Sequence, residues 1–113
     1  MSTFKVKQGD LVPALTATLM QAVGTAAAVP IDLTTATGVK FAMRNRTLGT
    51  IKVDAACTIV SAIAGTVKYT WVGTDTDTIG FYDAEFQITW PAGKQTVPGG
   101  GYDTIQIGDD IAT

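Results

Sequence analysis

Residues 77–90 read DTIGFYDAEFQITW, and this stretch decides the fold. From position 81 onward two sets of side chains alternate. One set is apolar and consists of Tyr82, Ala84, Phe86, Ile88 and Trp90. The other set is mostly polar and consists of Phe81, Asp83, Glu85, Gln87 and Thr89. Because a period of two is the pattern of a half-buried strand, we predict one long core strand here.

The rest of the chain shows the same kind of pattern, with frequent threonine and turn residues between short apolar–polar runs. Further strands are predicted at 3–8, 14–20, 38–45, 49–63, 65–72, 95–98 and 102–110, where 49–63 is one broken strand or two short ones. A hairpin turn is predicted at 91–95, and a loop at 98–101. About seven or eight strands predict an all-β fold, either a two-sheet sandwich or a small barrel.

The segment from Gln21 to Thr37 is ambiguous, because it suits a loop with a short edge strand or a brief helix over its alanines. Gly24 and Pro30 favour the loop. The chain has 113 residues and no linker or repeat, so we predict a single domain over 1–113. Residues 1–10 are expected to form an N-terminal arm or an edge strand.

Composition excludes several classes of function. The chain has no histidine and one cysteine, so neither a Ser-His or Cys-His couple nor a cysteine zinc cluster can form. Its formal net charge of −2 argues against binding to nucleic acid. No apolar run approaches the length of a membrane span, and the N-terminus lacks a signal-peptide pattern. We therefore expect a protein assembled in a cytoplasm, without enzymatic activity, cofactor, metal, nucleic acid or membrane.

Acidic residues offer two possible kinds of site, a calcium site and a pair of catalytic carboxylates. Asp75, Asp77 and Asp83 could gather around Ca²⁺, but their spacing fits no EF-hand loop, so turn formation is the favoured interpretation. Asp83 and Glu85 could act as a pair of carboxylates in glycoside hydrolysis. Two neighbouring carboxylates on one exposed strand face more often increase the solubility of a protein. They can also form ion pairs with Lys40, Lys68 or Arg44 on neighbouring strands.

Aromatic and apolar residues at inward positions predict the core, which comprises Phe41, Tyr69, Trp71, Phe86 and Ile88. Cys57 lies among apolar residues and is predicted to be a small buried side chain. Trp90 ends its strand beside Pro91 and is expected at a rim. Tyr82 resembles the tyrosine corner of immunoglobulin-like domains, with Gly80 and Asp77 upstream, although Asp77 is one position further away than usual.

Five motifs taken in order resemble the N-terminal domain of phage baseplate upper proteins and similar small virion proteins of tailed phages. They are QGD at 8–10, DLT with VKFAMR at 32–44, GTVKYTW at 65–71, DT with GFYDAEF at 77–86, and YDTIQI at 102–107. The resemblance implies an immunoglobulin-like antiparallel β-sandwich of about seven or eight strands that binds rather than catalyses.

That resemblance also implies a non-enzymatic structural protein of a virion, in the baseplate or tail or as a capsid decoration. Its expected partners are other virion proteins, contacted in many copies or as a homo-oligomer. Candidate contact segments are residues 1–10 and 21–37, for which covering the ends of the sandwich is an equal alternative. Candidate interface residues are Phe4, Val6, Trp90 and Tyr102. The alternative is a carbohydrate-binding module that uses Trp90 or Tyr102 to stack on a sugar of the host surface.

Overall fold

The computed structural model describes residues 3–22, 27–98 and 102–109. These residues form an all-β architecture without a helix, and hence without a helix long and apolar enough to cross a membrane. The strands are β1 (Thr3–Lys7), β2 (Leu15–Thr18), β3 (Met20–Gln21), β4 (Val29–Pro30), β5 (Gly38–Asn45), β6 (Ile51–Ala56), β7 (Thr58–Ser61), β8 (Thr66–Tyr69), β9 (Gly80–Trp90), β10 (Gly93–Val97) and β11 (Asp103–Gly108).

A six-stranded sheet is built around β9, the strand that the opening stretch predicts. Its order is β1-β11-β9-β5-β6, with β10 also paired to β9. On one side β9 pairs antiparallel with all of β5, from Asn45 opposite Tyr82 to Gly38 opposite Thr89. On its other side β11 pairs with the first half of β9 and β10 with the second half. Thus β9 is the central strand of this large sheet.

A smaller sheet of three strands has the order β2-β8-β7, and β3 and β4 form a separate two-stranded hairpin. Residues Cys57 and Val39 lie where the chain passes from the large sheet to the small one. β6 ends at Ala56 and β7 begins at Thr58, and the Cys57 backbone N–H donates to the Val39 carbonyl at 2.9 Å. Of the two interpretations of 49–63, two short strands is therefore correct.

Aromatic side chains fill the space between the large and small sheets. The ring of Phe41, on β5, lies 5.1 Å from that of Tyr69 on β8 and 5.3 Å from that of Phe86 on β9. Trp71 meets both Phe41 and Tyr69 edge-on, at 5.9 Å and 5.4 Å. Each such side chain stabilises the fold by about 1.5–3 kcal/mol through burial, and edge-to-face contacts add to this.

Two details of the strand prediction differ from the structure. The described residues contain eleven strands rather than seven or eight, partly because the run 14–20 is interrupted at Leu19. There the Leu19 N–H donates to the Gly65 carbonyl, and the Leu19 carbonyl accepts from Ile31, so the backbone leaves the ladder of β8. The ambiguous segment 21–37 supplies the short strand β4; its residues 23–26 lie outside the described ranges.

The second difference is direction, because β1 runs parallel to β11, with Thr3 opposite Thr104 and Lys7 opposite Gly108. The prediction of a wholly antiparallel sheet is wrong for this pair. Alternation along a strand indicates which side chains are buried, but it carries no information about the direction of the neighbouring strand. Of the two expectations for residues 1–10, the described part is an edge strand.

Candidate functional site

Polar side chains lie in register on the outer face of the large sheet. Arg44 on β5 lies opposite Asp83 on β9, which in turn lies opposite Thr104 on β11. Because the alternate positions of these strands are buried against the small sheet, these three side chains point away from the core. The face therefore carries polar groups in register across three strands, and those on β5 and β9 are charged.

Asp83 lies between two guanidinium groups on this face. Its Oδ1 accepts a hydrogen bond from Arg46 Nε at 2.9 Å, and its Oδ2 lies 3.4 Å from Arg44 Nη2. Arg46 Nη2 also donates to Thr104 Oγ1 at 3.0 Å. Pairing with Arg44 is one of the cross-strand arrangements expected from sequence, whereas the second cation, Arg46, comes from the turn after β5.

Two aromatic rings lie against these guanidinium groups. The guanidinium carbon of Arg44 is 5.0 Å from the centre of the Tyr102 ring, and that of Arg46 is 5.7 Å from the Phe81 ring. Hydrogen bonding with Tyr102 and with Asp83 raises the pKa of Arg44 above its usual range. The cations are thus held in place by ion pairs and by cation–π contacts.

Glu85, two positions beyond Asp83, differs from it in its surroundings. It is half-buried and has neither a hydrogen bond nor an ion pair within the part of the chain that the structure describes. It lines a shallow depression of about 80 Å³ together with Ile51 and Tyr102. Typical ligand pockets measure about 300–1,000 Å³, so this depression suits a single side chain better than a whole ligand.

Exposed apolar side chains complete the surface. Ile51 is 64% exposed, Phe81 49% and Tyr102 37%. We call this surface the arginine–aromatic face; it comprises Arg44, Arg46, Ile51, Phe81, Asp83, Glu85 and Tyr102. Of these residues, sequence reasoning singled out only Tyr102 as an interface candidate. Phe81 carried an overlooked signal, since it is the one aromatic residue in the outward set of the opening stretch.

The three candidate calcium ligands each bond to different groups of the protein. Asp75 accepts from the Tyr69 hydroxyl at 2.5 Å and from the Val72 N–H at 3.0 Å. Asp77 pairs with Lys52 at 2.6 Å, and this hydrogen bond, with that of Thr78, holds its pKa below the usual range. Among the described residues no cluster of three or more possible ligands occurs.

Tyr82 makes the hydrogen bond expected of a tyrosine corner. Its hydroxyl donates to the Thr78 carbonyl, four residues upstream, at 2.8 Å, and its ring is fully buried. The Asp77 carboxylate accepts hydrogen bonds from the side chains of Lys52 and Thr78, and its contribution to the turn before β9 comes from these bonds rather than from a bond to Tyr82. Gly80 begins β9, and a Cβ there would lie 4.0 Å from the Tyr82 ring.

The residues predicted to form the core are all buried in the structure, namely Phe41, Tyr69, Trp71, Phe86 and Ile88. Burial, together with the hydrogen bond to Asp75, raises the pKa of Tyr69. Cys57 is half-buried, and its pKa is raised to about 12 by desolvation.

Three of the four residues proposed for an interface face inward or are partly covered. Val6 is a core residue, and Phe4 is half-buried with its ring centre 6.1 Å from that of Trp71, so both side chains point towards the core. The sequence could not indicate that Phe4 and Val6 face the core, because an edge strand and a free arm show the same alternation of apolar and polar residues. Trp90 is half-buried, and its indole N–H donates to the Gln95 side chain at 3.0 Å.

Larger cavities are lined by other described residues. One of about 350 Å³ opens between the two sheets and is lined mainly by apolar side chains, among them Phe4, Leu15 and Phe86. Another of about 260 Å³ lies between β1 and the segment that follows it, beside Lys5 and Val12. Within the described residues, neither cavity is lined by three or more side chains that could bind a metal ion.

No protein-family model matches this sequence, and a search of curated proteins found no match.

Proposed function

We propose that this chain is an immunoglobulin-like β-sandwich that acts as a non-enzymatic structural protein of a tailed-phage particle, through contacts with other virion proteins. The observation that carries the binding role is the arginine–aromatic face. It presents aromatic and arginine side chains, which are enriched in protein–protein interfaces, without a depression large enough for a typical ligand.

Strand order supports the immunoglobulin-like assignment. The sequence of strands β11-β9-β5-β6 matches the G-F-C-C′ order of variable-type domains, and β2-β8-β7 matches B-E-D. In this correspondence β9 is strand F, near whose start the tyrosine corner belongs. Tyr82 lies there, and Ala84 occupies the place of the disulfide cysteine.

Two of the resembling motifs contact each other in the structure. Motif 8–10 lies against the turn that leads into motif 77–86. The Gly9 N–H donates to the Thr76 carbonyl at 2.9 Å, and Gln8 Nε2 donates to the Asp77 carbonyl at 2.8 Å. The Thr76 hydroxyl in turn donates to the Asp10 carbonyl at 2.9 Å. The two motifs therefore form one structural unit, which is a reason for them to occur together.

The decisive experiment is quantitative mass spectrometry of purified particles of the phage that encodes the chain. We expect the protein to sediment with particles through a density gradient, at many copies per particle. Its absence from particles, while it is abundant in the lysate, would overturn the proposal.

Carbohydrate binding is the second candidate, because the Tyr102 ring is partly exposed beside Glu85. Two observations weigh against it. Arg44 occupies one side of the Tyr102 ring, and Trp90 is half-buried and bonded through its indole N–H. We expect a glycan array and a tryptophan-fluorescence titration with sugars to be silent; saturable binding lost in Tyr102→Ala would favour this candidate.

A further inference from the structure

We infer that the arginine–aromatic face pairs with the same face of a second copy of this chain. This inference rests on the proposed function, because it names the surface and one partner of a domain that acts by contact. Three kinds of observation support it, namely the composition of the face, the immobilisation of its arginine side chains and its charge balance. Its size sets the expected strength of the contact.

The exposed apolar groups of the face resemble the centre of an interface. Phe81, Ile51 and Tyr102 lie on three different strands or their ends and are all substantially exposed to solvent. Aromatic side chains and arginine are enriched in the buried centre of interfaces and among the residues that dominate binding energy. In an isolated domain these side chains remain in contact with water, and a partner would remove that contact.

The charged groups of the face are already ordered. Arg44 and Arg46 are each held by Asp83 and by an aromatic ring. Long side chains normally lose conformational entropy when an interface forms, and that loss opposes association. Because these two arginines are immobilised before any partner arrives, less of that entropy remains to be lost.

The balance of positive and negative charges on the face favours a second copy of this chain over a partner with a strongly positive or strongly negative surface. The face has two guanidinium groups, from Arg44 and Arg46, and two carboxylates, from Asp83 and Glu85. Within the described residues the arginines share Asp83, whereas Glu85 has no ionic partner. A two-fold axis places each surface opposite itself, so a surface with both signs can complement its own copy. The carboxylate of Glu85 can then approach a guanidinium group of the second copy.

The size of the face predicts a weak dimer. The eight residues of β5 span about 26 Å at about 3.3 Å per residue, and four strand spacings of about 4.8 Å give a width of about 19 Å. The resulting flat area of about 500 Å² covers the whole outer side of the sheet and is an upper limit for the face, and it is below the roughly 800 Å² per partner of a standard interface. We therefore expect a dissociation constant in the micromolar range, where many copies in a particle would strengthen the contact.

Sedimentation velocity on the full chain from about 1 to 500 µM tests the inference. The wild type should show a concentration-dependent monomer–dimer equilibrium, and Phe81→Ser and Ile51→Ser should each weaken it at least about tenfold. Glu85→Lys should weaken it as well. Val60→Ser is the matched control, because Val60 is a 56% exposed strand residue of the small sheet, and it should leave the equilibrium unchanged. Far-UV circular dichroism of each variant verifies that it is folded.

A wild type that remains monomeric at 500 µM would overturn the inference, and so would a dimer that is lost in Val60→Ser but kept in the face variants. Both results are separable from the proposed function, which is tested in particles. A monomer found in particles contradicts only the second-copy inference, even if the face variants fail to enter particles. A dimer absent from particles contradicts only the virion proposal.

Discussion

At the scale of single residues, Tyr82 shows how one side chain serves two purposes. Its ring is fully buried in the inner face of β9, while its hydroxyl closes the turn before that strand through the Thr78 carbonyl. The burial follows from alternation and could be predicted from sequence. The hydrogen bond could be anticipated only by resemblance to a known corner, because its acceptor belongs to the backbone.

Tyr82→Phe keeps the ring and removes the hydroxyl. We expect it to lower the free energy of unfolding by about 1 kcal/mol, the net contribution of one hydrogen bond. Urea denaturation measures the change. Tyr102→Phe is the control. It removes a hydroxyl at an exposed position, where water replaces the hydrogen bond to Arg44, so it should stay within about 0.5 kcal/mol of the wild type. Equal losses in both variants would contradict the tyrosine corner.

Cys57 links a residue-scale property to pH. Its pKa is raised to about 12 by burial, against about 8.5 in an unfolded chain. A raised pKa stabilises the fold fully below the unfolded pKa, and this stabilisation is lost as pH rises towards the folded value. Wild type should therefore lose stability between pH 8.5 and 12 through this thiol.

Cys57→Ala lacks the titrating thiol and isolates its effect. We expect the stability advantage of wild type over Cys57→Ala to shrink between pH 7 and pH 10, by about 1 kcal/mol or more. Urea denaturation of both proteins at the two pH values measures this difference. An advantage that is constant or grows with pH would show that the folded thiol titrates normally.

At the scale of elements, the turn before β8 joins the small sheet to the β3–β4 hairpin. Gly65 has a positive φ of 71°, and a Cβ there would lie 2.5 Å from the Ile31 carbonyl oxygen and 3.1 Å from that of Leu19. The Gly65 carbonyl also accepts the Leu19 N–H at 2.8 Å. Three separate segments thus approach one another at a residue that has no side chain.

Gly65→Ala should lower the free energy of unfolding by about 3 kcal/mol or more, because backbone strain is added to a clash with backbone atoms. Gly73→Ala is the matched control. Gly73 also has a positive φ, of 52°, but open space surrounds its Cβ position, so only about 1 kcal/mol is expected. Thermal or urea denaturation compares the two variants, and similar losses would refute the close packing at Gly65.

At the scale of the whole molecule, the first and last described strands are neighbours. β1 forms one edge of the large sheet by pairing with β11, a strand about a hundred positions later in the chain. Phe41 and Tyr69 join that sheet to the small one through ring contacts. Since neither sheet has an apolar core of its own, the two should unfold together.

Urea unfolding followed by tryptophan fluorescence and by far-UV circular dichroism should give coincident transitions. Trp71 reports on the core between the sheets, and Trp90 reports on the β9–β10 hairpin. We expect a slope of about 1–3 kcal/mol per molar urea, as for a small cooperative domain. Transitions with separate midpoints would show that the hairpin and the core are independent units.

Local patterns were sufficient for the class of fold and for much of the core. Alternation along 77–90 indicates which face of β9 is buried, because successive side chains of a strand point to opposite sides. It also places Asp83 on the outer face, within reach of a cation on the neighbouring strand.

The sequence by itself thus determined that the chain is all-β and which side chains of its strands avoid water. Only the tertiary structure decided that β1 runs parallel to β11, that Val6 is core, and that Arg46 reaches Asp83 and Phe81. The physical reason is that alternation is a property of one strand. Pairing direction, and contacts made from turns, depend on segments that are distant in the chain and meet only after folding.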